Sequence, residues 1–152
     1  MISLTFTVPF VKGKARPRFS SGRAYSPRAT RDAEAQIKAS YIKASEDRFG
    51  CVITAHESVP VDVFVFTSRN VLSSFRKRDG DTHPDTQKPD ADNIAKLVLD
   101  ALNGTAYVDD SQVREMLVIK CNRVRGASSE TKIRIEWEDT GFGYLSGTDA
   151  GS

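Results

Sequence analysis

Residues 88–113 read KPDADNIAKLVLDALNGTAYVDDSQV. Within them, Ile94, Leu97, Val98, Ala101 and Leu102 follow the i, i+3, i+4, i+7, i+8 spacing of a helix with one apolar stripe. Asn103 and Gly104 stop that helix, and a strand is predicted over about 113–121. Just upstream, residues 59–67 read VPVDVFVFT, β-branched and aromatic at positions facing both ways. That pattern predicts a strand well inside a sheet, with Pro60 near its start. Strand, helix and strand in this order set the centre of the fold.

Working outward, Ile2, Leu4, Phe6 and Val8 alternate with Ser3, Thr5 and Thr7, which predicts a half-buried strand ended by Pro9. Gly13, Pro17, Gly22 and Pro27 then mark a long loop. Ala33, Ile37, Tyr41 and Ala44 recur at helical spacing, with Thr30 as the expected N-cap and Gly50 after the end. Residues 68–89 are polar and predict a mobile loop, because nothing apolar there builds a core. Ile133, Ile135 and Trp137 alternate with charged residues in a last strand. The order β-α-β-α-β-β predicts an α+β fold: a single mixed sheet with two helices on it. The first strand–helix–strand unit reads as a parallel crossover, and the last two strands as a hairpin. One domain over 1–140 is expected, followed by a loose tail over 141–152.

The 152 residues suit one domain, and the apolar runs are too short to span a bilayer. No basic region precedes the apolar N-terminus, so a secretory signal is not expected and the protein is placed in the cytoplasm. Cys51 and Cys121 are distant and belong to no C-x-x-C pair, and His56 and His83 have no partner at zinc-ligand spacing. A net charge of +2 names no partner. Its distribution says more: Lys12, Lys14, Arg16, Arg18, Arg23, Arg28 and Arg31 follow one another with no acid among them, and Arg76, Lys77 and Arg78 form a second basic cluster. Basic stretches beside acids suit a polyanion gripped by one region and attacked by another.

Taken separately, the acids of 88–113 have ordinary explanations. Asp90 and Asp92 suit a helix start, Asp92 and Lys96 an i,i+4 pair, and Asp109-Asp110-Ser111 a turn. Together they predict more. Asp92, Lys96 and Asp100 share one face, and an extended return through AYVDD brings Asp109 or Asp110 back toward Asp90 and Asp92. Crowded carboxylates require a proton or a cation, and their oxygens suit Mg²⁺ or Mn²⁺. A basic surface beside such a centre is the chemistry of a metal-dependent nuclease.

The segment resembles the signature of the RusA family of Holliday junction resolvases: D-x-D-N-x-x-K, then D-A-L, then an aromatic before D-D-x-Q-[VI]. The stretch VKGKARPRFSSGRAYSPRAT is similar to that of phage-type members. The resemblance implies metal-binding aspartates at Asp90, Asp92 and Asp110 and an essential lysine at Lys96, with Asp100 and Asp109 in supporting places. It also implies a homodimer that cuts four-way or other branched DNA by paired nicks. Lys12, Lys14, Arg16, Arg18, Arg23 and Arg28, with Arg76, Lys77 and Arg78, are the expected phosphate contacts. Phe19 and Tyr25 either stack on opened bases or anchor the loop to the core. Two rival readings are a non-catalytic branched-DNA binder and a metal-dependent phosphodiesterase or phosphatase on another substrate.

Overall fold

The computed structural model describes residues 1–16, 18–25 and 27–138, without the side chains of Arg18, Ala24 and Tyr25. The expected tail over 141–152 lies outside the described residues, as do the side chains of Arg18 and Tyr25. The strands are β1 (Ile2–Val8), β2 (Arg18–Ser20), β3 (Arg23–Tyr25), β4 (Val61–Ser68), β5 (Thr82–His83), β6 (Val113–Lys120), β7 (Arg123–Val124) and β8 (Glu130–Trp137). The helices are α1 (Arg28–Phe49) and α2 (Ala91–Leu102).

Alternation in the strands decides which face is covered. Leu4, Phe6 and Val8 of β1, Val61, Val63 and Val65 of β4, and Ile133, Ile135 and Trp137 of β8 are all buried on one face. Both helices lie over that face, α1 against β1 and α2 against β6. The other face carries Phe64 and Phe66 half-buried, and Leu117 and Ile119 exposed. The helices bring matching stripes: Ala33, Ile37 and Tyr41 from α1, and Ile94, Leu97, Val98, Ala101 and Leu102 from α2. Each buried Ile, Leu or Val contributes about 1.5–3 kcal/mol on burial, and each Ala less. An exposed i,i+4 pair such as Asp92–Lys96 contributes roughly a few tenths of a kcal/mol. Apolar packing therefore holds α2, and its charged face is left for other work.

The four-stranded sheet has the order β1-β8-β4-β6. This corrects the expected terminal hairpin. Strand β8 is not beside β6; it inserts between β1 and β4 and is antiparallel to both. Strands β1 and β4 thus run the same way with β8 between them, while β4 and β6 are direct parallel neighbours joined through α2. Helix α1 starts earlier than expected, with Pro27 at the N-cap position. Thr30 is buried inside the first turns, and its Oγ1 accepts the Ala15 amide at 3.3 Å.

The stretch after Lys12 is not a plain loop. Strands β2 and β3 form a small hairpin, turned by Ser21 and Gly22 with φ of 51° and 75°. Consecutive positive φ values suit a two-residue turn of the kind that matches strand twist. Residues 68–89 are also more organised than their composition suggests. The Leu72 amide donates to His83 Nε2 at 3.0 Å, and the Phe75 and His83 rings lie 4.5 Å apart. Arg125 spans from Asp81 to the carbonyls of Arg76 and Gly80. Cys51 and Cys121 are free and half-buried. Among the described residues, no helix is long and apolar enough to cross a membrane.

Candidate nuclease site

Helix α2 carries the first acids. Asp90 stands at its N-cap position with extended backbone, yet its carboxylate makes no capping hydrogen bond. Its main-chain carbonyl accepts the Ile94 amide at 3.1 Å. Both Asp90 and Asp92 are exposed, at the end of the helix where free N–H groups favour negative charge. Lys96 follows one turn later, 3.9 Å from Asp92. The capping explanation for Asp90 is therefore not realised, and its oxygens remain available.

The basic N-terminal segment docks on this helix. The Lys14 amide donates to the Asn93 carbonyl at 2.8 Å. The Lys14 ammonium, expected among the phosphate contacts, is held by Asp100 and by Glu34 of α1. The hydrogen bond to Asp100 is the main reason its pKa is raised. Asp100 thus acts as the anchor of the basic segment. Lys14, Ala15, Arg16, Asn93, Lys96 and Asp100 line a cleft of about 230 Å³.

Gly13 permits the docking. A Cβ there would lie 2.8 Å from Pro89 Cβ and 2.9 Å from Asn93 Cβ, so there is no room for a side chain. Gly13→Ala is expected to part the segment from α2 and to lower stability by about 1–3 kcal/mol. Urea unfolding checks this; an unchanged midpoint would show that the contact is not tight.

The remaining expected phosphate contacts with described side chains are Lys12, Arg16, Arg23, Arg28, Arg76, Lys77 and Arg78, and all are exposed. Lys12 rests on the Phe10 ring at 4.9 Å. Phe19 settles one open choice: it is 77% exposed at the hairpin and does not anchor to the core.

The second pair of acids lies elsewhere. After Asn103 the chain does not run back along α2 as expected. Gly104 takes φ 79°, its amide donates to the Tyr107 carbonyl, and the Ala106 amide donates to the Leu102 carbonyl. Tyr107 is fully buried, and its hydroxyl donates to the Leu99 carbonyl at 2.8 Å. This knot keeps the chain at the C-terminal end of α2. Burial raises the Tyr107 pKa, and the neighbouring Asp110, Asp100 and Asp109 charges raise it further.

Gln112 then fixes the acidic turn. Its Oε1 accepts the amides of Val108 and Asp109 at 2.8 and 3.0 Å. Its Nε2 donates to the carbonyls of His56 and Val59 at 2.7 and 3.1 Å. In the sequence Gln112 is marked only by its place in the D-D-x-Q motif, two residues after Asp110. The Asp109 carboxylate accepts the Ser111 amide at 3.1 Å, and hydrogen bonding to Ser111 holds its pKa below the ordinary value. Asp110 opens the short 3-10 turn Asp110–Gln112 and is exposed.

These attachments place the two pairs at opposite ends of the same β-α-β unit. The Asp109 turn is tied to His56 and Val59, before β4 begins. The segment leading to Asp90 is tied to Arg69, just after β4 ends, because Arg69 donates to the carbonyls of Gln87 and Lys88. Strand β4 has 8 residues, a length of roughly 25 Å. From Asp92 to Asp100 is about 12 Å along the helix axis. Oxygens sharing one divalent ion lie about 2.0–2.6 Å from it, which no aspartate side chain reconciles with such a span. The described residues contain no group of three His, Cys, Asp or Glu placed to hold a metal. The expected convergence of Asp90, Asp92 and Asp110 within one chain is therefore corrected. The donor chemistry of Asp90 and Asp92 suits a hard cation, but one chain presents an incomplete set.

The chain is 35% identical over 133 residues to YqaN of Bacillus subtilis (strain 168), an uncharacterized protein; the match covers 79% of this chain and 88% of the relative. Residues 9–136 match the family model described as endodeoxyribonuclease RusA. That span holds the basic hairpin, the freed carboxylates of α2 and the Gln112-fixed turn together, and on it the chain belongs to the RusA endodeoxyribonuclease family.

Proposed function

We propose that the chain is a Mg²⁺-dependent endonuclease of four-way and other branched DNA, working as a homodimer. In this reading each metal site takes Asp90 and Asp92 from one copy and Asp110, flanked by Asp109, from the other. The separation of the two acid pairs along α2 and β4 carries the proposal. Family membership calls for one nuclease centre, and a single chain keeps its candidate ligands too far apart. A two-fold dimer meets this need twice over, and two related sites suit paired symmetric nicks in a junction of near two-fold symmetry.

The ion, Mg²⁺ or Mn²⁺ in its place, supplies Lewis acidity toward the phosphodiester and lowers the pKa of bound water. The chain's own residues do the rest. Asp90 and Asp92 supply oxygen donors at the start of α2. Lys96, on the same face one turn on, offsets charge at the phosphate being cut. Lys12, Arg16, Arg23 and Arg28, with Arg76, Lys77 and Arg78, neutralise backbone phosphates without reading sequence. Phe19, exposed among these cations, is the ring available to stack on a base opened at the crossover. The products are nicks with 5′-phosphate and 3′-hydroxyl ends.

The test uses end-labelled mobile junction, fork and linear duplex, each incubated with the protein and Mg²⁺. Paired nicks in the junction, little cutting of the duplex and none in EDTA are expected. Tight junction binding with no cutting in any divalent ion would instead identify a binding protein. Hydrolysis of a small phosphodiester that junction DNA does not inhibit would favour the phosphodiesterase reading.

A further inference from the structure

Five residues before Asp90 lies a buried acid that no part of the proposed chemistry uses. The Asp85 side chain is 1% exposed. Arg69 grips it with two hydrogen bonds, Nη2 to Oδ1 at 2.6 Å and Nε to Oδ2 at 2.9 Å. Arg123 adds Nε to Oδ1 at 3.2 Å, and Lys120 Nζ stands 4.0 Å away. One carboxylate thus meets three cations. Burial alone would raise the Asp85 pKa, but the hydrogen bond and charge of Arg69, with Arg123 and the Gln87 amide, hold it below the ordinary value.

The cluster is poorly explained as glue. Buried ion pairs roughly break even against apolar replacements of the same size, so stability gives little reason to build one. Its surplus donors show what else it does. Arg69 donates to the carbonyls of Lys88 and Gln87 at 3.0 and 3.2 Å. Lys120 donates to the same Gln87 carbonyl. Arg69 directly follows β4, and Lys120 is the last residue of β6, so the paired parallel strands β4 and β6 hold the backbone that enters α2.

We infer that Arg69, Lys120 and Asp85 form a positioning latch, which fixes residues 87–90 against the ends of β4 and β6 and so sets where Asp90 and Asp92 present their carboxylates. Asp85 keeps both cations aimed, and Arg69 and Lys120 do the holding. The link to metal ligation rests on the proposed function above; the latch itself does not. Outer residues that orient metal ligands typically change metal affinity or activity by about 10–100-fold when altered.

Arg69→Lys keeps the charge but loses the planar fork that serves Asp85 and two carbonyls at once. Lys120→Met is milder, leaving the Arg69–Asp85–Arg123 core intact, and guards against misfolding. Arg125→Gln is the control: it loosens the neighbouring turn at Asp81 and Gly80 without touching Gln87 or Lys88. Amide hydrogen exchange is followed in metal-free protein. Exchange at the Gln87 and Ile94 amides, which donate to Asp85 Oδ1 and to the Asp90 carbonyl, should quicken about tenfold or more in Arg69→Lys, less in Lys120→Met, and not at all in Arg125→Gln. Unchanged exchange there in both folded latch variants overturns the inference, as does an equal rise in the control. Junction nicking is measured alongside: the Mg²⁺ concentration for half-maximal rate should rise in the latch variants while metal-free junction binding holds. If wild-type protein nicks nothing, the nuclease reading fails, yet the exchange contrast still judges the latch.

Discussion

Asp110→Asn is expected to abolish junction nicking while leaving junction binding intact. The substitution keeps shape and removes one negative oxygen. Asp110 is exposed and is tied to no core group, so the fold does not depend on its charge. The loss expected for a missing metal ligand is on the order of 10³-fold or more, about 4 kcal/mol of transition-state stabilisation. Single-turnover nicking of preformed complexes separates this from weakened binding. Asp90→Asn and Asp92→Asn should behave alike, and both should bind junction as tightly as wild type or tighter, since fewer carboxylates then face DNA phosphates. Full cleavage by folded Asp110→Asn would remove that residue from the metal site. Much weaker binding by the α2 variants would contradict the electrostatic argument.

Gln112→Ala has the second large effect, and it reads out in both stability and rate. One side chain satisfies two amides and two carbonyls, and joins the acidic turn to the residues before β4. Truncation strands groups that are partly shielded from water. The expected cost is about 2–3 kcal/mol, less than four full hydrogen bonds because Val108 and Asp109 remain exposed and rehydrate. Since the glutamine also sets the turn carrying Asp110, nicking should fall further than the folded population does. Gln112→Glu keeps the oxygen acceptors but loses the donors to His56 and Val59, and it adds charge beside Asp109. It should not restore either property. Denaturant unfolding with rates measured under fully folded conditions checks both parts; a stable, fully active Gln112→Ala would show that the turn holds itself.

Much of the fold was legible in the chain. The alternation of β1 and β8 and the apolar stripe of α2 name their own elements, because burial on one face imposes a period on the side chains. Strand pairing was not legible. Nothing local tells β8 to insert between β1 and β4 rather than fold back on β6. Residues 68–89 look structureless because their few apolar residues, Val71, Leu72 and Phe75, follow no helical or strand period, yet a buried charge cluster around Asp85 organises the segment leading to Asp90. Ion pairs between distant residues leave no periodic trace. The acids themselves were found by spacing, but their placement was not. An extended return from Asn103 was the simplest path, whereas buried Tyr107, reaching back to Leu99, ties the chain at the near end of α2. That contact helps keep Asp109 and Asp110 away from Asp90 and Asp92 within one chain.

Mixing two inactive variants tests this most directly. In a mixed dimer of Asp92→Asn and Asp110→Asn, a site shared between copies places both lesions in one centre and leaves the other whole. Native mass spectrometry establishes that mixed dimers have formed, and junction nicking is then followed in Mg²⁺. Nicking is expected to return, one strand at a time, from two proteins that are each inactive. Mixed dimers as inactive as their parents would mean that each copy carries its own complete set of ligands, and would contradict the shared site.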